Sequence, residues 1–152
     1  MELNEVIEKI KKYREPSHKI IFTNGCFDIL HLGHIHILKE AKRLGGKLIV
    51  GVNSDASVLK LKGEGRPVKD EQTRVEILKS FWFVDLVVIF DEDTPLGLIK
   101  GINPDVLVKG GDYEIKDIVG YDHVTGSGGK VVTIPIMEGL SSTKMIGKLN
   151  KI

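Results

Sequence analysis

The stretch that decides the fold is residues 19–41, KIIFTNGCFDILHLGHIHILKEA. It begins with a short apolar, β-branched run at residues 19–22, which predicts a buried strand. A turn-rich segment follows, and from Ile37 to Leu44 the apolar side chains recur at helical spacing. Gly45 and Gly46 then predict the end of the helix. Strand, turn and helix together form the repeating unit of α/β proteins.

The same alternation extends to both ends of the chain. We predict further strands at residues 48–52, 86–90, 106–108 and 131–134, all short and apolar on both faces. Predicted helices cover residues 2–14, 54 to about 61, 70–82, 94–102 and a last stretch from Ser141 or Ser142 onward. Residues 62–69 and 109–130 are predicted to be loops. The pattern indicates a parallel sheet with right-handed crossovers and helices on both faces.

Length and composition restrict the class of protein. The chain has 152 residues, 41% of them hydrophobic, which fits one domain over residues 1–152. A formal net charge of +1 gives no general attraction to nucleic acid or to an anionic membrane. A single cysteine excludes an internal disulfide framework and a cysteine-cluster metal site. Neither a long apolar span nor a signal peptide is visible, so we expect a soluble, cytoplasmic protein.

Polar and glycine-rich segments follow every predicted strand. In an open parallel sheet, ligands bind beyond the carboxyl ends of the strands, where such segments meet. The segments are residues 23–34, 53–55, 91–94, 109–113 and 138–144. We therefore expect the functional site at this one edge of the sheet.

Within the first of these segments, the most informative run is His31-Leu32-Gly33-His34. Two histidines three residues apart at a helix start can direct both imidazoles to one point over the first turn. Gly33 admits a ligand close to the backbone, and the free N–H groups and positive dipole end of the helix attract a phosphate there. The run indicates an anion clamp.

Three other interpretations of the two histidines stay open. A zinc site would need a third ligand; His36 points away on helical geometry, and Cys26 or Asp28 would serve only by chance. A general base would need only one histidine. The pair could also do no more than cap the helix.

Two motifs carry a resemblance to a known family. The first, Gly25-Cys26-Phe27-Asp28 followed by His31-Leu32-Gly33-His34, resembles the HxGH signature of the cytidylyltransferase-like nucleotidyltransferases. The second, residues 140–146, LSSTKMI, is similar to the ISSTxxI segment of the same superfamily, with Leu in the first position. The resemblance implies an α/β fold of Rossmann-like type, here a five-stranded parallel sheet with helices on both faces.

Most of the chain, roughly residues 5–150, resembles the adenylyltransferase domain of the bacterial heptose-phosphate kinase/adenylyltransferase family. Besides the two motifs, the resembling stretches are residues 53–55, 61–63, 66–68, 83–85, 90–95 and 108–113, together with Arg74. The resemblance implies that ATP and D-glycero-β-D-manno-heptose 1-phosphate give ADP-heptose and pyrophosphate, for lipopolysaccharide core precursors. Because the kinase is absent and the domain starts at Met1, we expect a stand-alone transferase with a separate sugar kinase as pathway partner.

The resemblance also implies roles for individual residues. A phosphate monoester is largely dianionic at neutral pH, so the attacking group needs no general base, and catalysis reduces to positioning and charge stabilisation. The implied catalytic residues are His31 and His34 as donors to ATP phosphates, Lys62 in a mobile loop with Arg66, and Arg74. The implied nucleotide-binding residues are Asn24, Gly25, Cys26, Phe27, Asp28, Gly33, Lys109, Gly110, Gly111, Asp112, Ser141, Ser142 and Thr143.

Some expectations concern the metal and the remaining residues. Mg²⁺ is expected with the triphosphate, and no dedicated metal cage is visible. Asp28 is a candidate either for a supporting contact or for an Asx-turn. Adenine and ribose selection is expected to involve Gly110, Gly111 and Asp112. Cys26 is expected to be a small buried residue beside the site. Residues 126–129 fit a simple turn better than a substrate lid.

Alternative functions remain at this stage. Cytidylyl- or adenylyltransferases acting on glycerol 3-phosphate, ethanolamine phosphate or FMN share both motifs. A nucleotide-binding sensor without turnover is a further alternative. A phospho-accepting receiver is disfavoured, because this chain lacks the acidic pair that a receiver needs after the first strand. The apolar face of the N-terminal helix and Trp82 are compatible with a homodimer.

Overall fold

A single parallel sheet organises residues 2–136, which are the residues described by the structure, a computed structural model. Its strands are β1 (Lys19–Gly25), β2 (Gly46–Asn53), β3 (Leu86–Phe90), β4 (Val106–Gly110) and β5 (Lys130–Ile134). Their order across the sheet is β3-β2-β1-β4-β5, and each neighbouring pair is parallel. The five predicted strands and the α/β class are confirmed.

Helices connect the strands. They are α1 (Leu3–Arg14), α2 (Leu32–Lys42), α3 (Asp55–Lys62), α4 (Glu71–Lys79), α5 (Leu96–Ile102) and α6 (Tyr121–Gly126), with a 3₁₀ turn at Ile115–Asp117. Ser54 caps α3 by accepting from the backbone N–H of Ser57, and Asp70 caps α4 by accepting from that of Thr73.

The chain reverses its direction of travel across the sheet beside β1. It proceeds from β1 to β2 and β3 on one side, then returns to place β4 on the other side of β1. A crevice therefore opens between the segments that leave the carboxyl ends of β1 and β4, which is where open α/β sheets bind ligands.

Two apolar layers cover the sheet. On one face, α1, α5 and α6 pack against alternate strand residues such as Phe22 and Leu107. On the other face, α2 and α4 pack against the intervening residues, including Val106 and Val108. The period of two along each strand thus assigns successive residues to opposite layers.

Several sequence predictions need correction. Residues 109–130 are not one loop, because they contain the 3₁₀ turn and α6. The sequence predicts Thr94 as the cap of α5 and Pro95 as its first residue, but the helix begins at Leu96, with Pro95 as an N-cap that makes no side-chain cap bond. Most of the apolar face of α1 is not exposed, because Val6 and Ile10 are buried in the core, although Leu3 at its start is 41% exposed.

Other expectations have different outcomes. Residues 126–129 form the end of α6 and a turn, closed by a bond from the N–H of Gly128 to the carbonyl of Thr125. Trp82 is 81% exposed, and the homodimer stays a prediction.

The predicted last helix lies outside the described residues. No helix within residues 2–136 is long and apolar enough to span a bilayer.

Candidate active site

A cleft of about 590 Å³ lies at the carboxyl edge of the sheet. The residues that line it come from separate parts of the chain: Asn24, Gly25, Cys26, Phe27, Asp28, His31, Gly33, His34, Ile37, Asn53, Leu61, Lys62, Arg66, Asp93, Thr94, Pro95, Lys109, Val119 and Ile136. The structure therefore brings together the segment after β1, the start of α2 and the end of α3. The edge predicted from the strand ends is the edge that holds the cleft.

The two histidines build the start of α2. The Nδ1 of His31 accepts a hydrogen bond from the N–H of Gly33 at 3.1 Å, and the Nδ1 of His34 accepts from the N–H of His31 at 3.4 Å. An imidazole nitrogen that accepts carries no proton, so the neutral ring of each histidine carries its proton on Nε2. Both side chains therefore offer an N–H donor.

The surroundings of the histidines keep them uncharged. Burial lowers the pKa of His34 to about 4, and the neighbouring His31 contributes in the same direction. Burial also lowers the pKa of His31. The two ring centroids lie 4.0 Å apart, so two imidazolium charges there would repel. At neutral pH the cleft thus holds two uncharged N–H donors beside a helix N-terminus.

Asp28 anchors the segment between α3 and α4. Its buried carboxylate accepts from the N–H groups of Val68 and Lys69 at 2.9 and 3.0 Å and from the Nε of Arg66 at 2.7 Å. Burial alone would raise the pKa of Asp28, but these bonds outweigh it and lower the pKa. The partners are some 40 residues away, so neither an Asx-turn nor a free carboxylate describes this side chain.

Arg74 lies beneath the cleft. Its side chain is fully buried and donates to the carbonyls of Cys26 and Asn53, both at 2.7 Å, and to the carboxylate of Asp55 at 2.8 Å. It therefore ties the ends of β1 and β2 together beneath the cleft. The geometry of Arg74 fits a positioning residue, and its implied catalytic role stays a prediction.

Three other polar side chains lie in the cleft wall. Lys62 stands exposed at the end of α3, whereas Lys109 on β4 is half-buried with its Nζ 5.7 Å from the centre of the Tyr113 ring. Burial raises the pKa of the Cys26 thiol, which lies 3.8 Å from the Oδ1 of Asn53. A thiol with a raised pKa is a poor nucleophile, in keeping with its expected role as a small residue beside the site.

Local packing and backbone conformation explain why glycine occupies positions 110 and 111 at the end of β4. A Cβ on Gly110 would come within 2.2 Å of Ile37, so α2 packs directly against this backbone. Gly111 has a φ of +124°, which side chains rarely adopt. Neither glycine lines the cleft, nor does Asp112. Their contact with a nucleotide stays a prediction.

Several lining residues have no individual role in the sequence prediction. Asn53 and residues 93–95 follow strands β2 and β3, and this signal places their segments at the functional edge, without a role for each residue. Ile37, Leu61, Val119 and Ile136 are apolar and carry no such signal. Ser141, Ser142 and Thr143 lie outside the described residues. Within residues 2–136, no group of three His, Cys, Asp or Glu side chains is arranged to hold a metal ion.

Comparison with known proteins places these features among relatives. A family model described as cytidylyltransferase-like matches residues 22–148. The bifunctional protein HldE of Nitrobacter hamburgensis is 52% identical over 143 residues, which are 94% of this chain and 29% of that protein. HldE of Campylobacter jejuni subsp. doylei is 56% identical over 142 residues, 93% of this chain and 30% of that protein. The chain thus spans about three tenths of the length of these curated relatives.

Solved structures agree on the fold. The lipopolysaccharide core biosynthesis protein from Thermoplasma volcanium superposes with a TM-score of 0.65 and 29% identity, covering 80% of this chain and 98% of that chain. The pantothenate synthetase from Thermus thermophilus superposes with a TM-score of 0.64 at 16% identity, covering 91% of this chain and 65% of that chain. The second likeness concerns the fold alone.

Proposed function

This chain belongs to the cytidylyltransferase-like family and is a nucleotidyltransferase, and from that premise we propose that it joins ATP and D-glycero-β-D-manno-heptose 1-phosphate to give ADP-heptose and pyrophosphate. The phosphate of the sugar attacks the α-phosphorus of ATP, forming one P–O bond while the bond to pyrophosphate breaks. The product would serve lipopolysaccharide core synthesis in the cytoplasm, with the sugar phosphate supplied by a kinase.

One observation carries the nucleotidyl transfer: two neutral imidazoles line the cleft at the start of α2, and because each Nδ1 accepts a backbone N–H, each ring is left with its Nε2–H as a donor. Donors of this kind suit phosphate oxygens whose charge grows in the transition state. They do not suit a general base, because each Nδ1 lone pair already accepts a backbone N–H and each Nε2 carries a proton. This supports the donor role, with His34 next to the α-phosphate.

Mg²⁺ would accompany the triphosphate. Of the two carboxylates that line the cleft, Asp28 has both oxygens bonded and Asp93 is exposed beside Lys60 at 3.4 Å. The described residues therefore fit a metal held mainly by nucleotide phosphates, where it neutralises their charge. The protein's own part is to hold and orient those phosphates.

The choice of heptose phosphate depends on similarity. The HldE relatives are 52–56% identical to this chain over nearly all of its length, and a structural neighbour is named for lipopolysaccharide core biosynthesis. The segments at residues 90–95 and 108–113 resemble the heptose type. Transfer to glycerol 3-phosphate, ethanolamine phosphate or FMN is the alternative within the same chemistry.

The test is a panel of ATP and CTP against heptose 1-phosphate, glycerol 3-phosphate and FMN, with pyrophosphate release as the readout. We expect release only with ATP and the heptose phosphate. His34→Ala should lower kcat by about 10²–10³, the cost of losing one preorganised donor, with an unchanged circular dichroism spectrum. His36→Ala, on the same helix outside the cleft lining, is the matched control. Turnover with CTP and glycerol 3-phosphate alone would overturn the heptose assignment.

A further inference from the structure

The charge of the cleft is concentrated on two lysines. Arg66 is neutralised by Asp28 at 2.7 Å, and the two histidines are uncharged at neutral pH. Asp93 is paired with Lys60. Among the described lining residues, the net positive charge at neutral pH therefore falls on Lys62 and Lys109.

Lys109 differs from Lys62 because it is half-buried on a rigid strand. No carboxylate among residues 2–136 pairs with it, and its closest ring contact is Tyr113. Burial lowers the pKa of its ammonium group, and the nearby Lys62 adds to that effect. An ammonium group taken partly out of water without a counter-ion is stabilised when a ligand supplies the negative charge.

Lys109 also approaches the cleft from the face opposite the histidines. Val108 and Gly110 face α2, as shown by the α2-side core cluster and by the closeness of Gly110 to Ile37. By strand alternation, the Lys109 side chain lies toward the face covered by α5 and α6. In-line displacement requires the attacking oxygen and the leaving pyrophosphate on opposite sides of the α-phosphorus. If the ATP phosphates lie at the start of α2, the attacking phosphate approaches the α-phosphorus from the side of the cleft where Lys109 lies.

A groove of about 480 Å³ continues from this side of the cleft, between α5 and α6. It shares Thr94 and Val119 with the cleft, and its charged and polar side chains are those of Lys100, Lys116, Tyr121, Asp122 and His123. His123 is bonded to the Oδ1 of Asn103, whereas the other four side chains bond no described residue. A mixture of cationic, anionic and hydroxyl groups suits a polyol, whose hydroxyls both donate and accept.

We propose that Lys109 holds the phosphate of the acceptor substrate and that the groove between α5 and α6 holds its sugar body. This inference rests on the proposed transfer to a sugar phosphate. The resemblance implies that Lys109 binds the nucleotide. This inference assigns Lys109 to the second substrate instead.

The test measures binding to enzyme saturated with Mg²⁺ and α,β-methylene-ATP, which cannot be cleaved at the reacting bond. The probes are heptose 1-phosphate and inorganic phosphate. Lys109→Met should raise the Kd of both probes about tenfold or more, the effect of losing a charged hydrogen bond, and change the Kd of the ATP analogue less than about twofold. Lys79→Met, on the exposed surface of α4, is the matched control for the lost charge.

Tyr121→Phe tests the groove separately. It should raise the Kd of heptose 1-phosphate roughly fivefold and leave that of inorganic phosphate unchanged, with Tyr13→Phe as the control. If Lys109→Met weakens the ATP analogue as much as the probes, or leaves the probes unaffected, the assignment of Lys109 is overturned. If Tyr121→Phe changes the Kd of both probes equally, or of neither, the assignment of the groove to the sugar body is overturned.

Formation of ADP-heptose by the wild-type protein is measured in parallel. A protein that forms ADP-heptose but shows no Lys109 effect on acceptor binding refutes the acceptor site alone. A protein that binds inorganic phosphate through Lys109 but forms no ADP-heptose refutes the heptose assignment alone. A wild-type protein that binds neither probe refutes both.

Discussion

In the proposed function, each histidine of the HxGH run has two tasks, one for each ring nitrogen. The Nδ1 accepts from a backbone N–H at the start of α2, and the Nε2–H is the proposed donor to phosphate. The positions of both side chains could be predicted from the sequence because they lie three residues apart at a strand end. Their role as helix caps was one of several open interpretations, since Ser, Thr, Asp and Asn are the usual caps.

The two tasks of His31 can be separated by substitution. Asparagine caps a helix well but cannot reproduce the imidazole Nε2–H at the same place. We expect His31→Asn to change the free energy of unfolding by less than about 0.5 kcal/mol, and His31→Ala to lower it by about 1 kcal/mol. Both should lower kcat by about 10²-fold or more. Urea denaturation and steady-state kinetics measure the two effects, and equal stability of both variants would contradict the capping role.

The half-buried imidazole of His34 makes stability depend on pH. Its pKa is about 6.5 in the unfolded chain and about 4 in the folded protein, so below pH 6.5 the unfolded state takes up a proton that the folded state does not. The free energy of unfolding therefore decreases as the pH falls through this window. Between pH 6.5 and 5 we expect wild type to lose about 1.5 kcal/mol more than His34→Asn. His36→Asn should retain the wild-type slope, and a His34→Asn slope equal to wild type would contradict the prediction.

At the scale of elements, the segment at residues 63–70 is held more firmly than its sequence indicates. Gly63, Gly65 and Pro67 predict an exposed, mobile loop, but Asp28 and Arg74 bond its backbone. These partners come from the segment after β1 and from α4, so local pattern could not reveal them. Helix α6 was missed for a different reason: it has six residues, and only Val124 is buried, which leaves no periodic apolar stripe.

Removing the Asp28 charge should free this segment. Asp28→Asn loses the ion pair with Arg66 and one of the accepting oxygens for the backbone, which should cost about 2–3 kcal/mol of unfolding free energy. We expect trypsin to cut after Lys62 or Lys69 at least about tenfold faster under native conditions, because opening of the segment becomes easier. Asp70→Asn, which keeps a helix cap, should leave the cleavage rate unchanged. Equal cleavage of both variants would show that Asp28 is not the anchor.

At the scale of the whole molecule, the two edges of the sheet have different tasks. The carboxyl edge holds the cleft, whereas the amino edge holds two carboxylates that fasten strands to helices. Asp85 accepts from the N–H of Leu48 at 2.7 Å and from Lys42 at 2.6 Å, and Asp105 accepts from the N–H of Ile20 at 2.8 Å. The class of fold and the functional edge could be predicted from alternation of strands and helices. The strand order could not, because it depends on which strands pair in space.

This division predicts that damage at the amino edge lowers stability without altering catalysis. Asp85→Ala leaves the N–H of Leu48 and the ammonium of Lys42 without their acceptor, at a cost of about 2 kcal/mol. The melting temperature should fall by roughly 4–8 °C, while KM for ATP stays within about twofold of wild type. Differential scanning calorimetry and initial rates measure both quantities. A KM shift above this range would show that the two edges are coupled.

The pairing of Arg66 with Asp28 has a consequence for the response to ionic strength. A buried, internally compensated pair is screened little by dissolved salt. Neutral imidazole donors and helix N–H groups act at short range, where the mobile ions of the solvent have little access. Within the described part of the cleft, attraction of anionic ligands from a distance thus depends on the ammonium groups of Lys62 and Lys109. A protein that handles highly charged metabolites with so few free charges is suited to keep its affinity as salt concentration changes.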